Sequence, residues 1–210
     1  MKILQTIFVI GLGSILLACG QEPKSDLPEG EEMSNLEKEH ILEKVTYADS
    51  VNADLLEDTF KGSARREAKA IIGGNEIRIN YGSPGVRGRV IWNGLVSYDQ
   101  VWVSGSHWAT AISFSEDVMI NEVNVPAGMY GFFTIPGRKE WVLILNRVYD
   151  MHLADEYEES EDIVRVSVKP EILETPVQRL TYEVELNSDN AVEVSMAWDQ
   201  IKVKLPVGLK

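Results

Sequence analysis

The sequence predicts a mostly β protein: an antiparallel two-sheet sandwich, or a barrel-like closure, of about nine or ten strands preceded by one or two short helices. Three observations carry this. Beyond Gly62 the apolar residues recur with period two, as where Leu180, Tyr182, Val184 and Leu186 alternate with Thr181, Glu183 and Glu185. Turn-forming residues interrupt that pattern about every ten positions. No helical pattern of about 10–15 residues separates one strand from the next, which disfavours a parallel βαβ arrangement.

The chain has 210 residues, 44% of them hydrophobic and 25% charged, which is globular composition with room for one domain and its tails. Its net charge of −13 repels phosphate backbones, so nucleic acid is excluded as a partner. A single cysteine excludes an intramolecular disulfide and any cysteine-based zinc cluster.

Residues 1–18 read as a lipoprotein signal peptide. Lys2 is a short basic start, Ile3 to Leu17 carries no charge, and Leu16-Leu17-Ala18 precedes the only cysteine, Cys19. The apolar run is shorter than the roughly twenty residues a membrane-spanning helix needs, and it suits a cleaved signal. Cys19 is therefore expected to be lipidated and to moor the protein to a membrane. Gly20, rather than Asp, follows it, so delivery to the outer membrane of the cell envelope is expected. Residues 19–33 hold Pro23, Pro28 and Gly30 and read as a flexible acidic tether. From Glu22 to Lys61 there are 12 acids against 4 bases, so the charge excess concentrates near the anchor.

Residues 34–62 read as a short helical stalk, whose helices either dock loosely on the β domain or serve to hold it off. Ser34-Asn35-Leu36-Glu37 is a capping box that opens a helix from Asn35 to about Lys44. A second helix is expected over Asp54 to Lys61, closed by Gly62. Residues 63–210 form the β domain. Val164, Val166 and Val168 alternate with polar neighbours, as do Val192, Val194 and Met196, and then Ile201, Val203 and Leu205. Asp199-Gln200 is expected to turn the chain between the last two of these segments. Trp141 to Leu145 is apolar throughout, the signature of a central strand covered on both faces. Turns are expected at Gly73-Gly74-Asn75, Gly82-Ser83-Pro84-Gly85, Asn121-Glu122, Pro126-Ala127-Gly128, Pro136-Gly137 and Asn187 to Asn190. Asp150 to Ser160 is expected to be a polar loop or a single helical turn.

Within this domain the order Tyr81-Gly82-Ser83-Pro84-Gly85-Val86-Arg87-Gly88-Arg89, Ile91-Trp92-Asn93-Gly94-Leu95-Val96 and Gln100-Val101-Trp102 is followed by Pro126-Ala127-Gly128-Met129-Tyr130-Gly131-Phe132-Phe133-Thr134-Ile135-Pro136-Gly137 and Glu140-Trp141. This resembles the family called domain of unknown function 2911, found in bacterial secreted and lipid-anchored proteins, from about Gly62 to Val207. The resemblance implies an envelope β domain with no biochemical role assigned at family level. Many members that it resembles carry Arg at the place of Val103 and an Asn-Glu pair at His107-Trp108, so a function resting on that carboxylate does not carry over.

Five residues stand out as candidate ligand contacts. Arg87 and Arg89 form a basic loop in an acidic chain and suit a carboxylate or phosphate. Trp92 and Trp108 offer aromatic platforms for a sugar ring, and His107 adjoins Trp108. His107, His152 and Asp155 would make a candidate zinc set if the fold joined their loops, with Glu156 as a base. There is no serine elbow, and no catalytic residue is assigned. The expected role is a non-catalytic binding module for a glycan, a peptide or an envelope protein, needing no cofactor. The alternatives are a metal-dependent hydrolase using His107 and His152, with zinc as the cofactor, or a structural assembly protein.

Overall fold

The alternation past Gly62 resolves into ten strands among the described residues: β1 (Ala64–Ile72), β2 (Asn75–Ser83), β3 (Thr110–Phe114), β4 (Val118–Ile120), β5 (Val123–Val125), β6 (Gly128–Ile135), β7 (Trp141–Asn146), β8 (Asp162–Val168), β9 (Glu171–Ser188) and β10 (Ala191–Leu209). The computed structural model describes residues 46–188 and 190–210. Cys19, the tether and the expected helix at Asn35–Lys44 lie outside the described residues.

Every strand pairing is antiparallel. A six-stranded sheet runs β1-β2-β3-β6-β7-β8 and a four-stranded sheet runs β5-β4-β10-β9, so the architecture is a sandwich of two open sheets and not a barrel. Gly73 and Gly74 join β1 to β2 with φ of 59° and 89°, the left-handed pair that lets a two-residue turn follow the natural strand twist. The main core lies between the sheets and includes Ile77, Ile112, Phe132, Leu143, Leu180, Val194 and Val203.

The outer face of the six-stranded sheet carries a second, smaller core. Trp141, Leu143 and Leu145 of β7 face the main core, while Ile144 meets Val103, Ala109, Phe133 and Met151 on the far side. This double burial explains why β7 has no polar phase before Asn146. Val103 is buried here, so an apolar side chain fits the place where the family resemblance expects arginine. The connection at Asp150–Ser160 is irregular, and Glu159–Glu161 forms one 3₁₀ turn.

Two local expectations are corrected. Asp199-Gln200 does not reverse the chain. β10 runs unbroken past it, with register shifts against β9 on either side of Asp199. Asp199 takes a left-handed φ of 52°, and the bulge bends the strand instead of ending it.

The second correction concerns the helix. Residues 46–52 are helical, and Asp54–Lys61 is turn and extended chain. Asp54 adopts φ of 57°; its N–H donates to the Val51 carbonyl (3.1 Å) and that of Leu55 donates to the Ser50 carbonyl (2.9 Å). This paired closure ends a helix at Asp54, eight positions before Gly62. Thr46, Ser50, Val51 and Asn52 are weak helix formers, so packing holds the element: Ala48 and Val51 are buried. Residues 46–62 are docked on the β domain, not held off it as a stalk.

Candidate functional site

Arg179 organises the docked segment. It sits on the outer phase of β9, where alternation predicts a wet side chain, yet it is 1% exposed because residues 46–62 cover it. Its guanidinium donates to the Asp58 carboxylate (2.6 Å) and to the carbonyls of Phe60 (2.5 Å), Gly62 (2.9 Å) and Ser83 (3.1 Å). The rings of Tyr47 and Phe60 lie 5.5 and 5.3 Å from its Cζ. Asn52 completes the clasp: its amide donates to the Arg179 carbonyl (3.0 Å), and its Oδ1 accepts from the Arg179 N–H (2.6 Å). Gly85 lies directly above. A Cβ there would strike the Asp58 carboxylate and come within 3.2 Å of Arg179 Nε, so only glycine lets the loop lie this close.

The loop is thereby tied to β9. Val86 N–H donates to the Gln178 carbonyl (2.7 Å), and Leu180 N–H donates to the Pro84 carbonyl (3.0 Å). Arg89 donates to the carbonyls of Val86 and Gly85, which holds the turn. Arg87 is exposed at φ of 48° and has no hydrogen-bond or ion-pair partner among the described residues.

Beside this loop four tryptophans interlock. Trp92 meets Trp141, Trp198 and Trp102 edge-on at centroid distances of 4.9, 5.8 and 5.9 Å, and Trp102 stacks on Trp198 at 5.9 Å with 21° between planes. Trp141, in the run read as a doubly covered strand, and Trp198 are core residues. Trp92 is half-buried in the same cluster, so its part is packing and not the exposed platform expected of it. The indole N–H groups of Trp92 and Trp198 are buried with no hydrogen-bond partner among the described residues.

Above Trp102 and Trp198 opens a cleft of about 370 Å³. Lys61, Arg87, Arg89 and His107 line it, Leu95, Val96 and Leu153 supply apolar wall, and no Asp or Glu lines it among the described residues. Three of its residues hold left-handed backbone without being glycine: Arg87, His107 (φ 66°) and Leu153 (φ 56°). Each such residue costs about 1–3 kcal/mol, and seven more stand outside the cleft lining, at Asp54, Asn93, Asp99, Ser104, Asn121, Glu122 and Asp199. For bulky Leu153 the conformation is a true outlier.

The loops of His107 and His152 do meet. Ala109 N–H donates to the Met151 carbonyl (3.0 Å), Leu153 N–H donates to the His107 carbonyl (2.6 Å), and Trp108 pairs antiparallel with His152. His152, paired directly opposite Trp108, packs its ring 5.7 Å from that indole, while His107, at its left-handed turn, lines the cleft. The candidate zinc set His107, His152 and Asp155 is not assembled. No group of three His, Cys, Asp or Glu suited to a metal occurs among the described residues.

Trp108, 52% exposed, lines a second hollow of about 400 Å³ with Met129, Tyr149 and Asp150. Its floor is the small residues Ala109, Ala111 and Ser113. The cations here are already engaged. Arg65 donates to Asn80 Oδ1 (2.5 Å) and to the Ala109 carbonyl (3.2 Å), and Arg78 pairs with Glu67 and Glu76. Behind the loops, burial and the hydrogen bond to Asp162 push the Tyr157 hydroxyl up to about 12, so it stays a neutral donor at 2.6 Å.

Lys61, Trp102, Leu153 and Arg179 are site residues that sequence reasoning missed. The nearest signal was the pairing of a lone cation with Leu180 in an otherwise acidic strand.

A family model described as "Protein of unknown function (DUF2911)" matches residues 63–207. No curated protein and no solved structure matches the chain.

Proposed function

From the premise that this chain belongs to the DUF2911 family of proteins of unknown function, whose match spans nearly the whole β domain, we propose that it is a lipid-anchored protein of the cell envelope whose β domain binds a ligand without transforming it. One observation carries the binding reading: a cleft over stacked Trp102 and Trp198 whose rim holds three non-glycine residues in left-handed backbone. Its size falls in the range of small-molecule sites. The anchor is supported by Leu16-Leu17-Ala18-Cys19 and by the acidic tether that follows.

The trough beside Trp108 supports a second reading, a glycan surface, because Trp108 and Tyr149 stand exposed over a floor of small side chains. Ring faces of this kind suit the apolar faces of sugars.

Mass spectrometry of the full chain taken from bacterial membranes tests the anchor. The expected product begins at an acylated Cys19, and Cys19→Ser releases the protein from the membrane. An unmodified thiol on a membrane-free protein contradicts it. The binding reading fails if small anions and neutral glycans at saturating concentration all leave the melting temperature unchanged.

A further inference from the structure

We propose that the tryptophan-floored cleft takes a small anionic amphiphile: a carboxylate or phosphate seated by Lys61 and Arg87, with an apolar or aromatic body laid against Trp102 and Trp198. This rests on the reading of that cleft as the binding site and names the chemistry of its ligand.

Charge is the first argument. The chain carries 33 acidic residues against 20 basic ones, yet the cleft gathers Lys61, Arg87 and Arg89 with no acid among its lining residues. Outside the cleft many cations pair with carboxylates, as Arg78 does with Glu67 and Glu76, Arg165 with Asp162 and Lys204 with Glu171 and Glu193, whereas Arg65, Arg138, Lys139 and Lys169 make no ion pair among the described residues. Neither Lys61 nor Arg87 has such a partner among the described residues. Uncompensated cations within one concavity attract an anion and repel one another, so an anion relieves the site.

Division of labour is the second. Arg89 is committed to the Gly85 and Val86 carbonyls, which fixes the turn and leaves Arg87 to face the cleft. A guanidinium fork matches the paired oxygens of a carboxylate or phosphate, and Lys61 adds a compact second charge. The His107 imidazole stands on the opposite loop, with Nδ1 3.3 Å from Ser106 Oγ. The floor argues for more than a bare ion, since Leu95, Val96, Trp102, Leu153 and Trp198 leave most of the wall apolar.

Lys61 arrives on the segment that Arg179 and Asp58 clamp to the domain. The anion site is thus completed by a residue that precedes the first strand.

Calorimetric titration of the full chain in detergent with phenyl phosphate, phenylacetate, neutral phenylacetamide and inorganic phosphate tests this. Phenyl phosphate and phenylacetate are expected to bind, and phenylacetamide and inorganic phosphate to bind at least about tenfold more weakly. Tighter binding of phenyl phosphate assigns a phosphate ligand, and tighter binding of phenylacetate assigns a carboxylate. Arg87→Gln and Lys61→Gln, both at the surface, are each expected to raise the Kd of the anions about tenfold. Lys204→Gln, which lines neither hollow, is expected to change nothing. Phenylacetamide binding as tightly as phenylacetate, or both Gln variants keeping wild-type affinity, overturns the anion assignment and leaves the cleft a binding site. Binding of none of the probes overturns both.

Discussion

Arg179→Met is expected to destabilise the protein by about 3–5 kcal/mol, the cost of leaving the other half of a buried ion pair without its partner. The loss is large because one side chain joins three parts of the chain: Asp58, Phe60 and Gly62 before the first strand, Ser83 at the end of β2, and β9 itself. Methionine keeps much of the volume and removes every donor. Asp58, 8% exposed in its side chain, is then buried without a cation. Equilibrium urea unfolding read by circular dichroism measures this directly. Asp58→Leu combined with Arg179→Met is expected to recover part of the loss, because removing both charges also removes the desolvation penalty. A loss below about 1 kcal/mol for the single variant contradicts the clasp and would match an exposed pair instead.

Trp198→Ala is expected to cost about 3–5 kcal/mol as well, for a different reason. Trp198 is 1% exposed and touches Trp92 and Trp102, so truncation opens a cavity under the cleft and removes two ring contacts. Trp108→Ala, on the exposed side of the neighbouring loop, is expected to stay within about 0.5 kcal/mol. The comparison needs a probe other than tryptophan emission, and far-ultraviolet circular dichroism during urea unfolding serves. Equal losses for the two variants would remove the distinction between floor and surface.

What could be read in advance follows from which forces act locally. The sandwich was legible because each of β8, β9 and β10 keeps one wet face, and period two reports that directly. β7 was legible for the opposite reason: covered on both sides, it has no polar phase until Asn146. Asp199-Gln200 was misread because the residues that favour a turn also favour a bulge; pairing with β9 decided between them. The helix was misplaced because Gly62 looked like the better terminator, whereas Asp54 takes the left-handed position and the burial of Ala48 and Val51 outweighs weak propensity.

The site divides in the same way. Arg87 was visible as a basic residue in a glycine-rich loop within an acidic chain. Arg179 was not, because a charge on the outer phase of a strand reads as solvent-facing unless something covers it, and the cover lies more than a hundred residues away in sequence. Whether the loops of His107 and His152 meet was not legible in the sequence; the backbone pairing of Trp108 with His152 joins them. The Trp108–His152 pairing sets the His152 ring against Trp108, while His107 at its left-handed turn lines the cleft, an outcome of register that no single segment discloses.

Hydrogen–deuterium exchange of the full chain with and without saturating phenyl phosphate locates the ligand. Slower exchange is predicted in peptides spanning residues 60–63, 84–96 and 102–107, with β1 and the start of β2 unchanged. Protection centred instead on Arg65, Asn80 and Tyr149, or no change anywhere at saturation, would contradict a ligand held above Trp102 and Trp198.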